Sequence, residues 1–467
     1  MKALRILAWA VVMAGVVMSG PAQTALPSSR PLTLEEALNY ALEHYPAVRA
    51  SLEQVSAAHT GISLARTQYL PQLTALYQDG RATQNQVNGI FLPTPLNAAV
   101  EGPVGPSSGQ SFWNSQTAAL FSWEPLDFGL RSANVGQARS AEGKSLADLA
   151  LTRLQVASAV GNYFLLAVAN HQAVVAAQAN VDRWQTVNKS IHVLVDNQLR
   201  PGVDASRTDA QLAMARVQFY QAQQAEQAVL ATLAALMGMA GNEIRLDIGT
   251  LLDLPAVDSL PSLAPADHPL ARDQMAAVRQ VRAQEDVLNH TDYPRFFLQA
   301  EGLGRGSEVP ANGSILGNWN GLAPARGNWV AGLTISFPNI FDFKALGDQK
   351  QISKANERSQ RALYDKTLQD LTGRIQTAIS QLKGAQLVAQ QTPIELAAAR
   401  QSEMQSRIRY GSGLATLVEV ADAESLLAQA EMDDAVARLN VWRSLFGLAY
   451  AQGDLQPFLQ AVHSGGH

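Results

Sequence analysis

The chain contains no cysteine. Disulfides, thiolate metal sites and a lipid anchor on an N-terminal cysteine are therefore excluded. Charge is sparse: 16 % of the 467 residues are Asp, Glu, Lys or Arg, and the formal net charge is −5. A nucleic-acid binder carries a basic surplus gathered in patches, so no nucleic-acid partner is expected. Aromatic residues make up 6 %, few for an enzyme with an aromatic-rich core. After the N-terminal segment no stretch approaches ~18 uninterrupted apolar residues, so no transmembrane helix is expected. What is abundant is alanine, within a hydrophobic fraction of 47 %, and alanine-rich chains lean towards helix.

The N-terminus reads as an export signal. Met1-Lys2-Ala3-Leu4-Arg5 is a short basic start, Ile6 to Met18 is apolar, and Gly20-Pro21-Ala22 offers small residues for cleavage. A signal peptide over 1–22, cut after Ala22, is expected. The alternative, an N-terminal membrane anchor, needs a span of ~20 residues, and the apolar run is shorter. An exported chain without a membrane-spanning helix is either soluble outside the cytoplasm or enters a membrane as a β-barrel.

The chain is written twice. Tyr45-Pro46 precedes a helical stretch ending at Tyr69-Leu70-Pro71, and His268-Pro269 precedes another ending at Asp292-Tyr293-Pro294; both proline pairs are 223 residues apart. Trp123-Glu124-Pro125-Leu126-Asp127-Phe128 matches Phe337-Pro338-Asn339-Ile340-Phe341-Asp342-Phe343. Arg200-Pro201-Gly202 answers Tyr410-Gly411-Ser412-Gly413, and Leu236-Met237-Gly238 answers Leu445-Phe446-Gly447. Landmarks in one order at a slowly drifting offset indicate an old duplication. The expected organisation is a first repeat over 31–240, a Pro-rich connector over 241–266, a second repeat over 267–450, and a flexible tail over 451–467. Thr33-Leu34-Glu35-Glu36 opens the first repeat as a capping box.

Two long helices dominate each reading of the architecture. No proline occurs from Phe128 to Leu199, and Val181, Trp184, Asn188, Ile191 and Val195 alternate by three and four. From Phe343 to Arg409 the one proline is Pro393, and Leu368, Leu371, Ile375, Ile379 and Leu382 repeat similarly. This is coiled-coil spacing. About seventy helical residues make a rod of roughly 100 Å, far beyond the ~10–14 residues of an ordinary helix.

Other segments alternate with period two. Trp329, Ala331, Leu333, Ile335 and Phe337 share one face, and Phe296, Leu298 and Ala300 alternate with Phe297, Gln299 and Glu301. Strands are expected at about 72–80, 111–123, 295–303 and 328–337, the length that crosses a bilayer as a tilted strand. Gly-, Pro- and Asn-rich loops over Arg81–Gln110 and Arg305–Gly327 join them. Four strands cannot close a barrel in lipid, where open edges are not tolerated. Pooling strands from three chains gives twelve.

With this organisation the chain resembles the TolC-type outer-membrane efflux protein family. The resemblance rests on Leu32-Thr33-Leu34-Glu35-Glu36-Ala37-Leu38, Tyr69-Leu70-Pro71, Asp127-Phe128-Gly129, the tandem order, and above all the stretch Arg409-Tyr410-Gly411-Ser412-Gly413 through Glu419-Val420-Ala421-Asp422-Ala423-Glu424. It covers roughly residues 31 to 450. It implies an α+β membrane protein: a homotrimer with a twelve-stranded outer-membrane β-barrel, four strands per chain, continuing into a long periplasmic α-helical barrel. It also implies a passive exit duct for small molecules, with outer-membrane lipid, a periplasmic adaptor and an inner-membrane pump as partners. A protein-secretion duct and a soluble periplasmic coiled-coil scaffold are the alternatives.

In that family a polar latch closes the periplasmic tip. By position Tyr410, Glu419 and Asp422 match its Tyr and two acidic residues, Gly413 makes the reversal, and Ala415 stands where the family has Arg. Gly202, Thr208 and Asp209 form the corresponding turn of the first repeat, with Thr208 where an acidic residue is common. A ring of like carboxylates at a neck repels itself and favours cations; the alternative is a helix start that simply welcomes acidic residues.

No enzyme chemistry is expected, and no cofactor or metal. Ala138–Ser145 (ARSAEGKS) resembles a phosphate loop without its first glycine and lies within a helical run. Gly302-x-Gly304-x-Gly306 leaves a strand without opening a helix and is expected to be a flexible loop. His44, His59, His171 and His192 lack a third metal partner, and there is no Gly-x-Ser-x-Gly elbow.

Overall fold

The computed structural model describes residues 31–84, 108–255, 260–261, 263–308, 319, 321–338 and 343–464. The expected signal peptide therefore lies outside the described residues, as do most of the two inter-strand loops. Among the described residues eight α-helices and four strands follow one another in two similar halves. The first half holds α1 (Leu34–His44), α2 (Pro46–Arg66), β1 (Gln72–Gln84), β2 (Ser108–Leu126), α3 (Leu130–Asp196) and α4 (Gly202–Leu236). The second holds α5 (Pro269–His290), β3 (Arg295–Ser307), β4 (Arg326–Ser336), α6 (Phe343–Gly411), α7 (Leu417–Gln452) and α8 (Gln456–Ser464).

Local chemistry sets the boundaries. At the start of α1, Thr33 N–H donates to Glu36 Oε2 at 3.0 Å and Glu36 N–H to Thr33 Oγ1 at 3.2 Å, the reciprocal capping expected from the sequence. Asp127-Phe128-Gly129 converts β2 into α3. Gly129 takes φ +107°, where a Cβ is penalised, and an added Cβ would stand 3.1 Å from the His290 ring. Asp127 accepts from Arg131 N–H at 2.5 Å and from Arg131 Nε at 3.0 Å. These bonds hold its carboxyl below the usual range even though burial pushes it up. α6 runs through Pro393 without a break.

The strands are antiparallel in the order β1-β2-β3-β4. All four are longer than the sequence pattern suggests, because pairing extends past the apolar stretch into polar residues. The register builds rows across the sheet: Leu73 opposite Phe121, Phe121 opposite Ala300, Ala300 opposite Ala331; Trp123 opposite Leu298, Leu298 opposite Leu333. This face is apolar and bare, with Trp329 83 % and Leu333 59 % exposed. The opposite face carries Gln116, Gln299, Glu301 and Thr334, with Thr334 Oγ1 donating to Gln299 Oε1 at 2.9 Å.

Two expectations are corrected. Gly302, Gly304 and Gly306 sit inside β3, not in a flexible loop. The missing side chains make room for the chain before β4: an added Cβ at Gly304 would meet Pro324 at 3.1 Å, and one at Gly306 would collide with the Ala323 carbonyl. Residues 451–464 are likewise not a flexible tail. Helix α7 continues to Gln452, and α8 buries Phe458 edge-on against Trp442 and Phe446. Aromatic burial of this kind, not the polar ending of the sequence, decides the segment.

The main core lies where the middles of α3 and α6 meet the C-terminal ends of α4 and α7 and the short helices α1 and α8. It joins Leu34 and Leu38 of α1, Val160, Phe164 and Leu165 of α3, Leu233 of α4, and Trp442, Leu445 and Phe458 of α7 and α8. Gly161 is required here because the Phe446 ring fills the place of its Cβ. Far along the rods, smaller clusters such as Val181, Trp184, Leu212 and Ala215 continue the packing.

Candidate functional site: the helical tip

Both long helices reverse at the same end of the molecule. In the first half the left-handed residue is Gln198, at φ +60°, and Leu199 N–H reaches back to Leu194 O at 2.8 Å. Gly202, expected to make the turn, instead opens α4 behind Pro201. In the second half Gly413 takes φ +75°, with its N–H donating to Tyr410 O at 3.0 Å and Leu414 N–H to Arg409 O at 2.8 Å. A side chain at Gly413 would be strained whatever the space around it.

Tyr410 joins the two turns. Its ring is 9 % exposed and packs with Ile191, Ala415, Leu417 and Val420. The Arg200 guanidinium lies over it, 4.5 Å from the centroid, and Arg200 Nη2 donates to Tyr410 O at 3.3 Å. Burial pushes the phenol up from its ordinary value. Thr208 is fully buried and donates to Ala205 O at 2.9 Å. Asn188 Nδ2 bridges Thr208 Oγ1 at 3.2 Å and Asp209 Oδ1 at 2.7 Å, while His192 Nε2 is 3.0 Å from the same oxygen. Hydrogen bonds from His192 and Asn188 hold the Asp209 carboxyl below its usual range.

The acidic pair divides. Glu419 belongs to a capping box with Thr416, whose N–H donates to Glu419 Oε1 at 3.1 Å. Its other oxygen is 3.8 Å from Arg409 Nη1. Asp422, one turn on, is exposed and has no ion pair among the described residues. The tip therefore has basic partners although Ala415 stands at the family's Arg position. Ala415 is buried in the apolar cluster, and the cations come from Arg409, at the end of α6, and Arg200, from the other repeat.

Sequence reasoning also passed over a buried charge cluster above the tip. Arg183 of α3 places Nε 3.1 Å from Glu424 Oε2 and Nη1 3.0 Å from Glu431 Oε2, both on α7. Glu403 and Arg407 of α6 lie beside it, 3.4 Å apart. The readable signal was spacing: Glu424 stands on the stripe of Leu417, Val420 and Leu427, where an apolar residue belongs.

Other candidates resolve as structure. Ala138–Ser145 is continuous helix within α3, and Lys144 Nζ donates to Asp148 at 2.6 Å and Asp273 at 2.9 Å. His59 and His171 each meet one carboxylate, and among the described residues no group of three side chains could hold a metal ion.

The outer membrane efflux protein family model matches residues 37–239 and again 260–454, one match per repeat. The chain belongs to the outer membrane efflux protein family. It is 25 % identical over 410 residues to Protein CyaE of Bordetella pertussis, covering 84 % of this chain and 78 % of that protein. Among solved structures it is similar to the Campylobacter jejuni CmeC outer membrane channel, with a TM-score of 0.73 at 15 % identity over 93 % of this chain and 89 % of that one. CusC gives 0.72 at 14 % identity over 90 % and 92 %. The open state of the Neisseria gonorrhoeae MtrE channel gives 0.69 at 18 % identity over 90 % and 89 %. As an efflux protein of this family the chain is an outer-membrane exit duct with a long periplasmic helical extension. The family is one of passive channels, not of enzymes. The soluble-scaffold and secretion readings are not favoured.

Proposed function

We propose that three copies of this chain, exported by the signal peptide over 1–22, pool their sheets into a twelve-stranded barrel above a continuous helical barrel. The duct passively conducts small molecules handed over by a periplasmic adaptor and an inner-membrane pump. The observation that carries this reading is the sheet itself. Among the described residues β1 and β4 end the sheet with no strand partner, while its apolar face is bare. In lipid an open edge leaves N–H and C=O groups unsatisfied at several kcal/mol each, so closure is required. Exposed apolar residues on α4 (Val203, Met214, Val217, Tyr220) and α6 (Leu387, Ile394, Met404, Ile408) supply the corresponding contact surface lower down.

At the tip, Tyr410, Gly413, Glu419 and Asp422, with Gly202, Thr208 and Asp209 of the start of α4 behind them, form the periplasmic gate. Three copies of Asp422 and Glu419 crowd the neck and favour cations. Arg200 holds the closed arrangement by its contact with Tyr410, which a swing of the α6–α7 hairpin breaks, while Arg409 and Glu419 stay paired within that hairpin. Outer-membrane fractionation followed by native electrophoresis in mild detergent tests the assembly: a trimer in the outer-membrane fraction is expected, and a soluble monomer after osmotic shock refutes it.

A further inference from the structure

The seam between the two hairpins holds an excess of buried acid. Glu424 is 1 % exposed and neither of its carboxylate oxygens makes a hydrogen bond. Arg183 Nε lies 3.1 Å from one of them, but without hydrogen-bond alignment. The charged groups facing Glu424 are Arg183 on α3, Glu403 and Arg407 on α6, and Glu431 one heptad along on α7. Arg183 is already committed to Glu431 by an aligned bond of 3.0 Å, and Arg407 leans to Glu403. Three carboxylates thus share two guanidinium groups; Glu403 Oε1 and both oxygens of Glu424 lack aligned bonds, and Glu424 is the most deeply buried. An ionised carboxylate in that position is costly, and the cheaper solution is to keep its proton.

We propose that Glu424 is a proton-operated lock on this seam: protonated while α7 lies against α3, ionised once the α6–α7 hairpin swings away and water reaches it. The inference rests on the reading of this end as a gate, and adds a second element two turns above the tip. Burial pushes the Glu424 carboxyl up, the neighbouring Glu403 pushes the same way, and Arg183 and Arg407 oppose them. The sign follows. The closed seam binds the proton more tightly than the open one, so closure is favoured at low pH and is lost as pH rises through the raised value. Opening all three subunits releases up to three protons, which makes the dependence steep.

The absence of cysteine allows a clean test. Spin labels on the exposed pair Ser190→Cys and Gln429→Cys report the α3–α7 separation in the assembled protein reconstituted in lipid. In the otherwise unaltered chain the distance is expected to lengthen as pH is raised. Glu424→Gln keeps a neutral side chain and is expected to hold the short distance throughout. Two charge variants move the midpoint in opposite directions by roughly one pH unit each: Glu403→Gln to lower pH, Arg183→Gln to higher pH. An unaltered midpoint in Glu424→Gln, or the same direction of shift in both charge variants, overturns the proposal. Ion selectivity of a Glu419→Gln, Asp422→Asn double variant tests the gate separately. Unaltered selectivity with a normal pH-dependent distance would reject the acidic neck and leave the lock standing.

Discussion

Replacing Leu333 by Arg tests the assignment of the two sheet faces. Leu333 lies opposite Leu298 in a row with Trp123, and it is four positions from Trp329 on one side and from Phe337 on the other. At ~3.3 Å per residue the aromatic ends are each about 13 Å away along the strand, or about 10 Å in depth at a tilt near 40°. Leu333 therefore sits near the middle of the apolar band. A cation there costs on the order of 2–4 kcal/mol, and three copies in the proposed trimeric barrel bring the sum to roughly 6–12 kcal/mol. That is comparable to the whole net stability of ~5–15 kcal/mol of an ordinary fold. Its neighbour Thr334 points to the other face and loses one 2.9 Å bond to Gln299 when replaced, a loss of about 1 kcal/mol, while the new charge reaches water. Leu333→Arg should abolish the trimer band in outer-membrane extracts, whereas Thr334→Arg should keep most of it. Equal depletion by the two, or the reverse order, would mean that the register or the lipid-facing side is wrong.

Replacing Glu419 by Gln and Asp422 by Asn together should weaken cation preference and block by multivalent cations in planar-bilayer recordings, with little change in trimer stability. Gly161→Ala should lower the thermal unfolding temperature. Its gain in helix propensity, about 1 kcal/mol, is smaller than the ~1–3 kcal/mol of forcing a methyl into the Phe446 ring, and Phe446→Leu should restore part of the loss. Trp442→Phe removes the 2.7 Å bond from Nε1 to Asp253 O and should cost about 1–3 kcal/mol in urea unfolding, because the carbonyl is left without that donor.

The rods were the most legible part of the sequence, since two proline-poor stretches with three-four spacing leave little choice of structure. Val181, Trp184 and Ile191 lie buried on the stripe that their spacing predicts. The face of β4 was legible too, because period-two alternation names its own outward side. The glycines of β3 were not. Gly-x-Gly-x-Gly reads as a breaker locally, and only the chain folding back near Ala323 and Pro324 explains why side chains are missing there. At the tip the family pattern directed attention to position 415 for a cation. The charge instead arrives through space, from Arg409 at the helix end and from Arg200 across the duplication, more than two hundred residues away. The helix α8 was hidden for a similar reason: a nine-residue segment is judged by what it packs on, and Trp442 and Phe446 precede it by only a dozen residues.

The central core brings the first and last helices of the described residues together. Leu34 and Leu38 from the first helix share it with Phe458 and Ala461 from the last, and His463 Nε2 lies 3.0 Å from Glu35 Oε2. The apolar side of α1 is therefore fully covered only once α8, far along the chain, has joined it. Until then the rods are held mainly by their own hairpin partners, and the middle of the molecule is open to proteases and to other unfinished chains. A chain truncated before Gln456 lacks the piece that closes this core, so its early helices stay exposed however well its strands pair.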